Sequence, residues 1–348
     1  MFSANRCKTT KIAVLAASLY TDFALAKRLE EAAHCSGPRA QVHHRQFPDR
    51  AGCSKGSQKM SNVAPPNLDR FLRRTLWSEE SGELLHLTRQ DLGWEWMSFF
   101  VRRLAPGQVW EARNTEEEGV VLLLGGTCLA DWGEGRQRIG QRKNVFGGLP
   151  HAVYLPAGSL VRLEAETECE LAACSVPSSA QLKPRLITPT DVTVNLRGGG
   201  NASRQIVNVL GPDFPADKLM VVEVYTPSGN WSSYPPHKHD VHNPPYEVDL
   251  DEIYYYRMDH ASGYAYHRLY TPCGKRDMTL TVTNGDVVLI RDGYHPVVAG
   301  HGYHVYYLNC LAGSARSLAN TEDPQHSWVR TTWGTVDSRL PLVPVPSG

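Results

Sequence analysis

From about Leu68 the chain runs as short apolar segments punctuated by Gly, Pro and Asn, with little of the spacing of an amphipathic helix. A first block holds WEWMSFFVRRL (94–104), GVVLLLGG (119–126), HAVYLPAG (151–158), LVRLEAET (160–167) and CELAACSV (169–176). A second repeats the style with LMVVEVYTP (219–227), DEIYYYRM (251–258), GYAYHRLYT (263–271), MTLTVTNGDVVLI (278–290) and YHVYYLNCLAG (303–313). Segments this short, β-rich and closed by turn residues predict an all-β barrel or sandwich, present twice. Between the blocks, residues 177–200 collect Pro177, Ser178, Ser179, Pro184, Pro189 and Gly198-Gly199-Gly200, a turn or linker. The triple glycine is no phosphate cradle, because it lacks the Gly-Lys-Ser/Thr ending and the strand-to-helix G-x-G-x-x-G context. The expected division is a poorly ordered extension over 1–67, a first barrel over 68–185, a second over 186–330 and a tail over 331–348.

Charge narrows the function. The 348 residues carry 36 Lys plus Arg against 36 Asp plus Glu, so nothing argues for nucleic acid or an anionic membrane surface. No apolar run approaches the roughly 20 residues of a membrane span. The eight cysteines (7, 35, 53, 128, 169, 174, 273, 310) include no C-x-x-C pair. In a chain long enough to bury a real core they predict free thiols in a reducing cytoplasm. At the N-terminus, Lys8 and Lys11 precede IAVLAASLY (12–20), and Ala24-Leu25-Ala26 imitates a cleavage site. That apolar core is short for a secretory signal, so an extension upstream of a start at Met60 is the better reading. The sequon Asn230-Trp231-Ser232 agrees, since secretion would risk a glycan beside the chemistry described next.

That chemistry begins in SYPPHKHD (233–240). Pro235 and Pro236 exclude a helix interior and hold the chain extended. In extended chain, positions i and i+2 share a face, so His237 and His239 project together and Lys238 turns away. Two imidazoles alone are weak grounds for a metal. Nine of the fourteen histidines lie at or after position 237, however, and further donors are close in sequence. Glu252 opens EIYYYR facing inward, with Asp251 opposed to it, and His295 follows the turn at Gly293 in GDVVLIRDGYHPV (285–297). His237, His239, Glu252 and His295 would make a mixed shell with coordination sites left open, the catalytic pattern, suited to one divalent ion such as Zn, Fe or Mn.

The order of these residues matches the paired cupin signature. The surrounding stretches GNWSSYPPHKHD (229–240), DEIYYYR (251–257), GDVVLIRDGYHPV and GYHVYYLNCLAG (302–313) closely resemble the 5-deoxy-glucuronate isomerase family of myo-inositol catabolism, from about residue 68 to 330. The resemblance implies a mainly β bicupin of two double-stranded β-helix (jelly-roll-like) barrels, with the metal in the second. GQVWEARNTEEEG (107–119), at the equivalent place in the first, contains no histidine. The chain departs from the family at Arg291-Asp292 and at Met278, and residues before about 59 have no counterpart.

The implied reaction is aldose–ketose isomerisation of a sugar acid, 5-deoxy-D-glucuronate to 5-dehydro-2-deoxy-D-gluconate. It needs stabilisation of charge on O1 and O2 and a base to move the C2 proton. Candidate catalytic groups are Glu252, through the ion, with a metal-bound hydroxide or a carboxylate such as Glu223 or Glu247 as the base, between which the sequence does not choose. Arg257, Arg268 and Arg204 are candidates for the substrate carboxylate, and Tyr254 for a hydroxyl. The same shell could serve an Fe(II) dioxygenase, which consumes oxygen, or a sugar-binding cupin without turnover. The expected partner is a small sugar acid, with no nucleic acid or membrane, and self-association into a homo-oligomer stays open.

Overall fold

The computed structural model describes residues 68–75 and 81–345. The readings of the N-terminal extension, its signal-like stretch and the start at Met60 lie outside the described residues.

Among the described residues the chain is mainly β. In the first half, one sheet has the order Arg185–Ile187, Ala152–Leu155, Glu117–Gly125, Cys169–Pro177, Ser98–Leu104 and Gly82–Leu87. A second sheet faces it in the order Val109–Arg113, Leu160–Ala165, Cys128–Asp131 and Arg136–Ile139. The second half repeats the plan. Its large sheet runs Leu72–Arg74, Asp286–Ile290, Leu250–Met258, Val305–Gly313, Met220–Thr226, Arg204–Leu210 and Thr193–Arg197. Its small sheet runs Trp231–Ser232, Val297–Ala299, Ala265–Tyr270 and Asp277–Val282, and a ribbon pairs His237–Lys238 with Thr321–Glu322. Leu72–Arg74, early in the chain, pairs with Asp286–Ile290 far along it, so each large sheet has an edge supplied from the other half's sequence neighbourhood.

Alternation sorts the side chains into three cores. Val121 and Leu123 point between the two sheets of the first half, with Leu104, Trp132 and Leu163. Val120, Leu122 and Leu124 point the other way, to a core shared with Ile253, Tyr255, Tyr306 and Leu308 of the second half. Tyr254, Tyr256, Val222 and Val224 point between the sheets of the second half. The large sheets are covered on both faces, which is why GVVLLLG and EIYYYRM read as continuous apolar runs rather than alternating ones.

Candidate metal centre and pocket

A cavity of about 170 Å³ opens in the second half, with His237, His239, Glu252 and Tyr254 in its wall. Glu252 shares the inward face with Tyr254 and Tyr256, while Asp251 belongs to the opposite face of the same strand. His295 is delivered by a turn at Gly293, where φ is 81° and a Cβ would come within 2.5 Å of the Tyr270 carbonyl oxygen, so only glycine fits. Asp240 ties this turn to the H-x-H segment, accepting from the Gly293 amide at 2.8 Å.

The histidines are held by one device repeated three times. Nδ1 of His239 lies 3.1 Å from the Leu250 carbonyl, Nδ1 of His295 lies 2.9 Å from that of Gly293, and Nδ1 of His237 lies 3.4 Å from that of Pro235. A carbonyl can only accept, so each Nδ1 carries the proton, and for His239 and His295 Nε2 is left to face Glu252. Nε2 of His239 and of His295 lie 3.0 and 3.3 Å from Oε2 of Glu252, and donor atoms of these three buried residues all fall within 4.8 Å of one another. His237 flanks the trio, its ring centroid 4.9 Å from that of His295 and 6.3 Å from that of His239.

Electrostatics make this a cation's place. Burial pushes the His239 ring towards neutrality, but the hydrogen bond and charge of Glu252 outweigh it and raise its pKa. Burial likewise works to raise Glu252, yet the bond from His239 and the nearby charge of His239 and His295 hold its carboxyl well below the usual range. His237 is driven well below the ordinary histidine value by burial and by its two histidine neighbours. Nε2 of His295 is buried with no hydrogen-bond partner among the described residues. A carboxylate and imidazole nitrogens converging without enough protons to share fit a divalent ion held by His239, Glu252 and His295.

Around the trio stand hydroxyls. Ser233, with the left-handed φ of 50°, puts its Oγ 3.0 Å from the Tyr254 hydroxyl and 3.3 Å from that of Tyr307. Burial and the charge of Glu252 keep Tyr254 protonated far above the ordinary tyrosine value. His267, buried behind His295, bonds the Tyr256 hydroxyl at 2.9 Å and the His295 carbonyl at 3.1 Å; burial and His295 depress its pKa to about 3. Sequence reasoning passed over His267 and left Tyr307 among tyrosines read as mostly core or interface, although the alternation in YHRLY and VYYL marks both as inward.

The other candidates go elsewhere. Glu223 sits on the opposite strand face from the pocket residues Val222 and Val224; it is fully buried against Arg142 at 2.6 and 3.1 Å and accepts from Tyr225 and Tyr306. Glu247 spends one oxygen on Lys238 Nζ at 2.7 Å and on the amides of Asp240 and Val241. Arg257 reaches Glu170 of the first half at 2.5 Å, and Arg268 lies on the surface against Asp277 at 2.7 Å. Neither proposed base and neither of these arginines lines the cavity. Arg204 does line it, together with Arg197 and Arg330, two residues that sequence reasoning did not single out.

Residues 71–329 match the model of the KduI/IolB family. A 5-deoxy-glucuronate isomerase of Geobacillus thermodenitrificans (strain NG80-2) is 42% identical over 264 residues, 75% of this chain and 96% of the relative. One from Bacillus subtilis (strain 168) is 38% identical over 251 residues, 71% of this chain and 93% of the relative. Among solved structures, an IolB-like protein from Salmonella typhimurium LT2 matches with a TM-score of 0.72 and 38% identity, covering 74% of this chain and 98% of that one. The oxalate decarboxylase of Lactobacillus farciminis, at 12% identity and a TM-score of 0.55 over 75% of this chain and 90% of its own, shares the cupin fold alone.

Proposed function

Since this chain belongs to the KduI/IolB family, we infer that it is a 5-deoxy-glucuronate isomerase, converting 5-deoxy-D-glucuronate to 5-dehydro-2-deoxy-D-gluconate by an aldose–ketose shift. The observation that carries the reading, beside the relatives, is the buried His239, Glu252 and His295 group opening on a sugar-sized cavity. A divalent cation there would supply Lewis-acid stabilisation of negative charge on neighbouring substrate oxygens. Everything else falls to the chain. Glu252 and the two Nε2 atoms would hold the ion; the Nδ1 bonds to backbone carbonyls keep the rings aimed. Tyr254, kept protonated, donates to a substrate oxygen rather than taking a proton. Neither Glu223 nor Glu247 lines the cavity; outside the trio its wall carries one histidine, His237, and one carboxylate, Glu322, which is bound to Arg330. The reading includes a small sugar acid as partner, without nucleic acid or membrane; no described helix is long and apolar enough to cross a membrane. It also includes a cytoplasmic setting in which Cys128, Cys169, Cys174 and Cys310 remain buried thiols.

The test follows 5-deoxy-D-glucuronate by NMR in deuterated water with the purified protein, alongside its metal content. Ketose forming with solvent deuterium at the receiving carbon is expected. Oxygen uptake with no ketose would replace the isomerase by an oxygenase.

A further inference from the structure

We propose that Arg197 and Arg204 form a carboxylate-binding pair that selects sugar acids over neutral sugars and points the opposite end of the sugar at the histidine–glutamate group. The substrate part of this proposal rests on the isomerase reading above.

The two arginines face each other across a hairpin. Thr193–Arg197 and Arg204–Leu210 are antiparallel, with Arg197 directly opposite Arg204. Opposed residues of such a pair share a face, and two like charges there repel unless something negative lies between them. Both line the same cavity as His237, His239 and Glu252. Arg204 has no carboxylate partner among the described residues. Its hydrogen bonds are two long ones from Nη1, to the carbonyls of Ala202 at 3.5 Å and Tyr234 at 3.3 Å. Arg197 likewise has no carboxylate partner among the described residues. The contrast with other arginines is plain: Arg142 has Glu223, Arg257 has Glu170 and Arg276 has Asp292. Even Arg330, the third arginine of the cavity wall, is matched, since Glu322 neutralises it. Burial opposes the Arg204 charge, and Arg197 and Arg330 oppose it further.

A guanidinium kept charged, withdrawn from water and short of acceptors is suited to a carboxylate, which takes two parallel N–H bonds. The cavity, at about 170 Å³, is smaller than the roughly 300–1,000 Å³ of pockets for drug-sized ligands, so the occupant is a single small molecule. A hexuronate holds a carboxylate at one end and the reacting carbons at the other. Anchored at the arginines, it can lie in one direction.

Binding of D-glucuronate and of D-glucose is measured by calorimetry on the metal-loaded full chain, and KM and kcat for 5-deoxy-D-glucuronate are measured in parallel. Wild type is expected to bind the acid and barely the neutral sugar. Arg204→Met is expected to retain its metal and weaken D-glucuronate by about 30- to 100-fold, as for a lost hydrogen-bonded charge, with KM carrying most of the loss in turnover. Arg197→Met, at an exposed edge where folding is not at stake, is expected to cost about tenfold and leave D-glucose unchanged. The pair is overturned if wild type does not discriminate the acid, if both variants keep the discrimination, or if Arg204→Met loses its metal. Wild type that binds D-glucuronate selectively yet forms no ketose would sink the isomerase reading and leave the pair standing.

Discussion

The two halves share one strand order, save the extra edge strand Thr193–Arg197 of the second, and differ in what lies between their sheets. In the first half that space is filled with Leu104, Val121, Leu123, Trp132, Val161 and Leu163, and nothing in that cluster is charged. In the second, Met220, Tyr254, Tyr256 and Val288 share it with buried His239, Glu252, His267 and His295. The registers locate the difference. Glu252 stands opposite Ile290 and Leu311, and Gly119 opposite Leu155 and Ser175, the same places relative to the ends of matching strands. At Gly119 a Cβ would come within 2.7 Å of Asn114 Nδ2 and 2.9 Å of the Cys174 carbonyl oxygen, so the first half has closed over the position where the second keeps a carboxylate. The space between the first half's sheets is therefore filled by apolar burial. The polar cluster is an added cost, tolerated where backbone carbonyls satisfy the imidazole Nδ1 atoms and where a divalent cation would satisfy the rest.

The largest expected effect comes from breaking the second half's difference. Glu252→Gln removes the carboxylate that His239 and His295 share, and metal content should vanish with at least about a thousandfold fall in kcat/KM. A chelator should do the same reversibly. Elemental analysis and turnover check both, and a variant that keeps its metal and rate would remove Glu252 from the site. Next in size is the contact between the halves. Glu223→Gln leaves Arg142 buried with its charge unmatched, and chemical denaturation should show a loss of about 3–5 kcal/mol. Metal per folded molecule should not change, which separates this structural glutamate from the metal-holding one.

The apolar runs made both halves legible, because strands buried on both faces are written as continuous Val, Leu and Tyr. His239, Glu252 and His295 were legible for a related reason: period-two alternation tells which of Asp251 and Glu252 faces in. The same rule, applied to VVEVY, would have turned Glu223 away from the pocket, since Val222 and Val224 line it. Arg197 stayed hidden in a stretch read as linker. Thr193–Arg197 is an edge strand, largely exposed, so it carries no hydrophobic period. The run Gly198-Gly199-Gly200 is the turn of its hairpin, with φ of 92° at Gly198 and 51° at Gly200. Partners such as Glu170 for Arg257 join distant parts of the chain, and no local pattern announces them.

A smaller effect tests the comparison from the other side. Gly119→Glu offers the first half the carboxylate it lacks, at the matching register. Because Asn114 and the Cys174 carbonyl already occupy that space, the variant should lose about 1–3 kcal/mol of stability through overpacking and gain no second metal. Two metals per chain with unchanged stability would show that the first half had kept room for a site.

The smallest prediction concerns the first half's own buried histidine. His151 is depressed below its ordinary value, chiefly by burial and then by the charge of Arg142, so the folded protein takes its proton at a lower pH than the unfolded chain does. The unfolded chain takes up a proton there as pH falls through about 6.5, ahead of the folded chain. The unfolded state then binds more protons, and stability drops on acidification by at most about 1.4 kcal/mol per pH unit for one such group. His237 and His267 in the second half have the same sign, and for His267 the window runs down to about 3. His151→Gln should therefore flatten the stability profile below about pH 6.5 by no more than one proton's worth, with metal content and KM unmoved. Denaturation midpoints across that range measure it. An unchanged slope would take His151 out of the acid sensitivity.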